Sequence, residues 1–279
     1  MTAVADNKVL FSNRGYCHCC RSGTTFVAHD EWLRDFYVCS SCGSIPRQRH
    51  IQAFLDTHVP GWEQLVVHES SPSNDYIKRF VADYTASQYF PDVPRGEYRD
   101  GIRSEDLEAL TLPDESVDIF ITQDVLEHVF HPDDAIREIN RVLKPGGMHV
   151  FTTPKHKLLE KTTQRARITA DGTVEHILEE QYHGNPIGDN RALVTYDYGV
   201  DFELLLSDWS GQSVQSFHTR DRSLGLDAEF NEVFVITKPG APPDGPRPLS
   251  GGAQKLAKLA RPIVPARARP VLRKLLTRG

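Results

Sequence analysis

Long apolar segments are missing from this sequence of 279 residues. No run of about 18 apolar residues occurs, so a membrane-spanning helix is not predicted. The first fifteen residues lack a charged start followed by an apolar core, and a secretion signal is not expected. These absences predict a cytoplasmic protein.

Cysteine is also scarce, with five in the chain, all between positions 17 and 42. Such clustering favours a metal site over disulfides. Two C-x2-C pairs, separated by 18 residues, have the spacing of a zinc ribbon: Cys17 with Cys20, and Cys39 with Cys42. Four thiolates suit structural Zn²⁺, although they also hold iron. Cys19 is left over, and a Cys17–Cys19 pair or a His18 ligand stays open.

Basic residues are few in the body of the chain. The net charge is −6, yet residues 241–279 contain nine Lys or Arg and one Asp. An acidic body argues against broad binding to nucleic acid. The basic, proline-rich tail predicts either a solvated segment or peripheral contact with an anionic membrane.

The middle of the chain alternates apolar strand patterns with helical ones. Pro132 and two following aspartates suit a helix start, and Pro145-Gly146-Gly147 suits its end. A strand, a helix and a strand within about 35 residues indicate a βαβ unit and a parallel sheet. The predicted strands are Gln64–His68, Val117–Thr122, Met148–Thr152 and Asn231–Thr237, and the predicted helices are His131–Lys144 and one that includes Ile77–Val81.

These patterns divide the chain into three parts. Residues 1–50 form a predicted zinc-ribbon module, which would depend on its metal to fold. Residues 51–240 form an α/β domain, in which the polar segment 154–196 is an insertion. Residues 241–279 are the basic tail.

Several ordered motifs resemble the class I S-adenosylmethionine (SAM)-dependent methyltransferases. They are Leu112–Asp118, Ser116–Val129 and Ala135–Gly147. The resemblance covers roughly residues 62–240 and implies a Rossmann-like sheet with SAM at the carboxyl ends of its strands.

The resemblance also implies residue roles. Asp106 corresponds to the acid that contacts the adenine amino group, and Leu107 to the neighbouring backbone contact. Gln123 and Asp124 would line the methionine side of the pocket. Glu69 corresponds to the acid at the end of the first strand.

The loop after the first predicted strand departs from the family because His68–Asp75 contains no glycine. Ser70 and Ser71 are short enough for close approach of the cofactor, and Asn74 tolerates left-handed backbone. Ser87 or Gln88 stands where the family carries an acid for the ribose. Tyr84–Ser87 and Tyr182–Pro186 are similar to segments of a bacterial methyltransferase subgroup with such a loop.

The insertion supplies candidates for acceptor chemistry. Methyl transfer requires alignment of the acceptor, and a hydroxyl acceptor benefits from a base. His183 in the insertion is the first candidate and His128 the second, although each could be purely structural.

The sequence therefore predicts a SAM-dependent methyltransferase that acts on a small-molecule or sugar hydroxyl. An RNA methyltransferase is the alternative, because some rRNA methyltransferases also carry an N-terminal four-Cys zinc module and arginines lie near the cysteines here: Arg14, Arg21, Arg34, Arg47 and Arg49. A third hypothesis is a binding protein that keeps the fold without catalysis. The sequence does not indicate the oligomeric state.

Overall fold

The N-terminal part is a small three-stranded antiparallel sheet with a short helix before its last strand and a longer helix after it, in a computed structural model that describes residues 9–184 and 191–241. The strands pair in the order β1–β2–β3. Pro46 occupies the start of the second helix, and the Gln48 side chain accepts a hydrogen bond from Ile45 N (3.0 Å). The elements are β1 Phe11–Cys17, β2 Ser22–Ala28, α1 Leu33–Phe36, β3 Tyr37–Cys39 and α2 Pro46–His58.

An eight-stranded sheet forms the centre, in the order β16-β17-β9-β8-β4-β5-β7-β6. The pairs β9–β8, β8–β4, β4–β5 and β5–β7 are parallel, whereas β6, β16 and β17 join antiparallel neighbours. This mostly parallel sheet confirms the predicted α/β, Rossmann-like fold class. The elements are β4 Val66–Ser70, β5 Asp83–Gln88, β6 Tyr98–Arg99, β7 Ile102–Ser104, β8 Val117–Gln123, α3 Pro132–Val142, β9 Leu143–Thr152, α4 Phe202–Ser210, β16 Val214–Phe217 and β17 Val233–Thr237.

Strand β8 lies in the middle of the sheet, between β9 and β4, and both of its faces are covered. Alternate side chains point to opposite faces of a strand. Phe120 therefore joins the apolar cluster beneath α3 and α4, while Ile119 and Ile121 join the cluster beneath α2. Burial on both faces explains why four of the six residues in Val117–Thr122 are apolar.

The helix predicted over His131–Lys144 is present as α3, but it ends at Val142 and continues directly into β9. The glycine pair that was expected to end the helix lies in this strand. Gly146 has φ +78°, and a Cβ on Gly147 would lie 2.9 Å from the carbonyl oxygen of Asp118. Glycine is needed there for the close approach of β9 to β8.

The prediction that Ile77–Val81 belongs to a helix is wrong. Residues 76–80 form turns, with isolated bonds from Arg79 N to Asp75 O and from Phe80 N to Ile77 O. The Tyr76 hydroxyl donates to Cys42 O (2.7 Å), which ties this segment to the cysteine region. This long-range contact and the preceding Ser/Pro/Asn-rich sequence favour turns.

The predicted insertion contains three two-stranded ribbons. Their strands are β10 Thr163–Gln164 with β15 Tyr196–Asp197, β11 Ala166–Ile168 with β12 Val174–His176, and β13 Tyr182–Gly184 with β14 Arg191–Leu193. Helix α2 crosses the predicted boundary at residue 50, and the division into domains stays a prediction. Nearly all of the predicted basic tail, residues 242–279, lies outside the described residues. Over the ranges 9–184 and 191–241, every helix is too short or too polar to traverse a bilayer.

Candidate active site

Two polar side chains predicted to bind the cofactor meet at the carboxyl end of the parallel strands. The Gln123 amide donates to Glu69 Oε1 (2.9 Å), and the Tyr84 hydroxyl donates to Glu69 Oε2 (2.8 Å). Burial raises the pKa of Glu69 to about 7, against the lowering effect of these two bonds. The remaining amide oxygen, Gln123 Oε1, is buried and has no hydrogen-bond partner within the described residues. This edge therefore offers an acceptor to a bound donor group.

The glycine-free loop adopts a left-handed turn at Ser71, with φ +55°, and not at Asn74. Ser71 N donates to Ser87 O (2.8 Å), so the ends of β4 and β5 stay joined past the last paired residues. Ser70 is buried at the end of β4. The Ser87 hydroxyl lies 2.9 Å from His68 Nε2, inside the sheet. Ser70, Ser71 and Ser87 are thus brought together, and their contact with a cofactor stays a prediction.

Asp106 and Leu107 lie just beyond the end of β7. Asp106 caps a short 3-10 helix, Leu107–Ala109, because its Oδ1 accepts from Glu108 N (2.9 Å). Burial raises the pKa of Asp106. A cavity of about 390 Å³ opens beside this carboxylate, within the size range of small-molecule sites. It is lined by Tyr89, Phe90, Pro91, Asp92, Val93, Pro94, Arg95, Ser104 and Asp106.

Asp124 follows β8 in a left-handed conformation, with φ +54°, and is paired with two arginines from the N-terminal part. Its Oδ2 lies 2.5 Å from Arg34 Nη2 and 2.8 Å from Arg47 Nε. Thr152 Oγ1 donates to the other carboxylate oxygen (2.9 Å). Burial opposes ionisation, yet Arg47 and Arg34 outweigh it and hold the pKa of Asp124 below its usual value. This predicted cofactor residue is therefore already saturated by protein contacts.

The two candidate bases lie side by side. The rings of His128 and His183 are perpendicular, with centroids 5.1 Å apart. The His128 ring is fixed by a 2.8 Å hydrogen bond between Nδ1 and Leu193 O. Burial lowers the pKa of His128, and it lowers that of His183 to about 4, with His128 and Arg34 adding to the latter shift. Both rings are neutral at pH 7.

A buried carboxylate adjoins both histidines. Glu127 Oε1 lies 3.8 Å from His128 Nε2 and 3.8 Å from His183 Nδ1. Burial and the charge of Asp124 raise the pKa of Glu127 to about 8. Glu127 was not predicted as a site residue, although its position between Leu126 and His128, soon after a buried strand, was a usable signal.

The four predicted metal ligands converge. The Sγ atoms of Cys17 and Cys42 are 3.8 Å apart, and those of Cys20 and Cys39 are 3.9 Å apart. A Zn–S tetrahedron with bonds of about 2.3 Å has edges of about 3.8 Å, so these separations fit it. Cys19 is buried nearby and is not in the group of four.

Most arginines that suggested RNA binding face inward. Arg49 is fully buried and donates to Tyr37 O (2.8 Å) and Gly225 O (2.7 Å). Arg21 pairs with Asp56 and Glu63, whereas Arg34 and Arg47 pair with Asp124. These four side chains are used in contacts within the protein, which weakens the argument from these arginines for an RNA partner.

Comparison with known proteins supports the resemblance to methyltransferases. Residues 74–151 match a family model described as a methyltransferase domain. This segment includes Asp106, Gln123, Asp124 and the Gly146–Gly147 pair. The match supports a class I SAM-dependent methyltransferase, as the motifs indicate.

Individual relatives are similar over short segments. The chain is 46% identical over 107 residues to the ubiquinone/menaquinone biosynthesis C-methyltransferase UbiE of Shewanella frigidimarina, covering 34% of this chain and 43% of that protein. It is 41% identical over 80 residues to a probable S-adenosylmethionine-dependent methyltransferase of Mycolicibacterium smegmatis, covering 29% and 28%. The chain thus spans less than half the length of these curated relatives.

Among solved structures, the chain is similar to an S-adenosylmethionine-dependent methyltransferase from Mesorhizobium loti. The TM-score is 0.44 at 17% identity, covering 68% of this chain and 98% of that one.

Proposed function

We propose that this protein is a SAM-dependent methyltransferase that binds SAM along the carboxyl edge of β4, β7 and β8. The observation that carries the proposal is the placement of the residues that the resemblance assigns to the cofactor. Asp106 lies beside a cavity after β7, while Gln123 and Glu69 form a buried polar pair at the ends of β8 and β4. Ligands bind at this edge in open α/β sheets.

The fit of SAM rests on two acceptors. Gln123 Oε1 is buried without a partner, and the Asp106 carboxylate is half-buried beside the cavity. SAM carries an adenine amino group and an α-ammonium group, both of which are donors. Asp106 would accept from the adenine and Gln123 from the methionine part, with Leu107 and Glu69 adjoining. SAM supplies an electrophilic methyl group on its sulfonium.

Calorimetry with SAM tests this assignment. We expect one SAM to bind per chain, and Asp106→Ala to weaken binding by about tenfold or more, since hydrogen bonds to charged groups contribute about 1.5–3 kcal/mol. Asp114→Ala is the matched control, because Asp114 is an exposed aspartate paired with Arg141 on the surface. Absence of binding at millimolar SAM would leave only a non-catalytic role for the fold.

The acceptor is proposed to be a small-molecule or sugar hydroxyl. His183 is the proposed base: its Nδ1 lies 3.8 Å from Glu127 Oε1, which would orient the ring, and Nε2 is left to take the hydroxyl proton. His128 adjoins it as the second candidate. The curated relative named above is a C-methyltransferase, so the methylated atom requires a direct test.

Methyl transfer from isotope-labelled SAM to a panel of alcohols, sugars, amines and activated carbons identifies that atom. His183→Asn is expected to lower transfer to a hydroxyl by about 10²-fold or more while SAM binding persists. His176→Asn, in the same insertion, is the control. Labelled product on nitrogen or carbon alone would contradict the hydroxyl assignment.

We further propose that Cys17, Cys20, Cys39 and Cys42 hold a structural Zn²⁺. Hydroxyl groups lie next to the sulfurs: Ser44 Oγ is 3.4 Å from Cys17 Sγ, and Thr24 Oγ1 is 3.3 Å from Cys39 Sγ. Metal ligands commonly have such hydrogen-bonding neighbours. Metal analysis of protein purified without chelator should find about one zinc per chain. Less than about half an equivalent, or iron in its place, would contradict the assignment.

A further inference from the structure

A second group of potential ligands lies outside the cysteines. Glu127, His128 and His183 come from the turn after β8 and from β13, and their ligand atoms all lie within 4.8 Å of one another. Glu127 is almost fully buried, whereas the side chain of His183 keeps 36% of its exposure. The group is therefore formed inside the protein but has access to solvent on one side.

The orientation of these side chains leaves acceptors facing one another. Thr153 Oγ1 donates to Glu127 Oε2 (2.9 Å), while Glu127 Oε1 is buried with no hydrogen-bond partner in the described part of the chain. In His128, Nδ1 donates to Leu193 O, which leaves the lone pair of Nε2 on the side of Glu127 Oε1. Buried acceptors without a donor are costly unless a proton or a cation lies between them.

The arrangement resembles the environment of a ligating histidine. In metal sites, the ring nitrogen that does not bind the ion usually donates to a carbonyl or carboxylate, which fixes the tautomer. The Nδ1 bond to Leu193 O does this for His128. Two imidazoles and one carboxylate suit divalent first-row transition metals, and such sets keep further coordination positions open.

Two cationic side chains of the described residues act on Glu127 through their charge but are bonded elsewhere. Arg34 and Arg47 both pair with Asp124. The nearest ion-pair partner of Glu127 is thus a histidine on either side, at 3.8 Å.

We infer that Glu127, His128 and His183 form a binding site for a divalent transition-metal ion, separate from the four cysteines. On the basis of the proposed function, the open positions of this ion would take an oxygen atom of the acceptor and lower the pKa of its hydroxyl, whose proton would pass to solvent; His183 would then act as a ligand in place of its role as base. The substrate would then be a molecule whose hydroxyl oxygen can bind the ion from the solvent-accessible side of His183.

Manganese titration tests the site selectively, because Mn²⁺ prefers nitrogen and oxygen ligands to thiolates. Free Mn²⁺ is measured by electron paramagnetic resonance during titration of the full chain carrying one equivalent of zinc, which the four thiolates would hold in preference to the Glu/His group. We expect one Mn²⁺ to bind per chain. Glu127→Gln and His183→Asn should each weaken binding by about tenfold or more.

Two controls keep the outcome decisive. His131→Asn alters an exposed histidine bound to Glu108 and should leave Mn²⁺ binding unchanged. Far-UV circular dichroism and thermal unfolding verify that each variant folds, and His183→Asn, at a partly exposed site, serves if Glu127→Gln does not. No binding at millimolar Mn²⁺, or equal binding by wild type and both variants, would overturn the inference. Calorimetry with SAM is independent, so failure of the proposed function is seen separately.

Discussion

The N-terminal cysteine region and the central sheet are stabilised by different means. The cysteine region has a small apolar cluster, in which three of the seven buried members are cysteines. The sheet has two large clusters, one on each face, built mainly from aliphatic and aromatic side chains. Hydrophobic burial suffices for the sheet, whereas the small cluster of the cysteine region is expected to rely on the cross-links of the proposed zinc site.

The two regions meet at the candidate active site. Arg34 and Arg47 contact Asp124 after β8, and Cys42 O accepts from Tyr76 beyond β4. A region that would depend on the proposed zinc thus supplies charges to the carboxyl edge of the sheet. Loss of the proposed metal should therefore disturb the site without unfolding the sheet.

Removal of the metal is expected to have the largest effect. Cys39→Ser should abolish hydrogen-exchange protection in β1–β3 while β8 and β9 stay protected, because structural zinc contributes on the order of 10 kcal/mol to folding of such modules. Cys19→Ser is the control, since Cys19 is equally buried but outside the group of four. Simultaneous loss of protection in both regions would show that they are not stabilised separately.

Truncation of the sheet core should come next. Phe120 is fully buried on β8, and Phe120→Ala is expected to lower the free energy of unfolding by about 3–5 kcal/mol. Leu204→Ala, at a side chain that is 70% exposed, should change it by less than about 0.5 kcal/mol. Urea denaturation measures both, and a similar loss for the two variants would contradict the assigned core.

The link between the regions is tested by Arg47→Ala. It leaves the buried carboxylate of Asp124 with one guanidinium, and we expect a loss on the order of 3 kcal/mol. Arg137→Ala removes exposed pairs within α3 and should cost about 0.5 kcal/mol. If Arg47→Ala costs no more than this control in urea denaturation, the ion pairs do not join the two regions.

The smallest effect concerns pH and the sheet alone. Burial lowers the pKa of His149 to about 3, from about 6.5 in the unfolded chain. The folded protein keeps this ring neutral, so its contribution to stability is full above pH 6.5 and is lost as pH falls toward 3.

His149→Asn should therefore flatten the slope of stability against pH by about 1.4 kcal/mol per pH unit between pH 6 and pH 4. Urea denaturation at several pH values measures the difference from wild type. The carboxyl of Glu69, whose pKa is raised, acts in the opposite direction but is common to both proteins. Equal slopes would show that His149 also takes up a proton in the folded state.

Local patterns predicted the elements that are local. The strand at Val117–Thr122 and the helix that starts at Pro132 are present as predicted. Their signals, an apolar run and a good helix start, are each contained in a short segment of sequence. The helix at Ile77–Val81 failed because five residues carry too little periodicity to outweigh turn-forming neighbours and the bond from Tyr76 to Cys42.

The candidate site could be predicted only in part. Asp106, Gln123 and the four cysteines were predicted from motifs and spacing, and their roles stay predictions. The structure brings the four cysteines together, pairs Gln123 with Glu69 and sets Asp106 beside a cavity. The pairing of Arg34 with Asp124 joins residues 90 positions apart, and that of Thr153 with Glu127 depends on β8 and β9 being neighbours. Such contacts leave no local pattern in the sequence.

Hydrogen exchange with and without SAM tests the central claim most directly, namely that SAM binds along the carboxyl edge of the sheet. At saturating SAM, amides in residues 69–71, 106–108 and 123–125 should exchange more slowly, while those of α3 stay unchanged. Unchanged exchange in all three segments, or protection confined to other parts of the chain, would contradict the account.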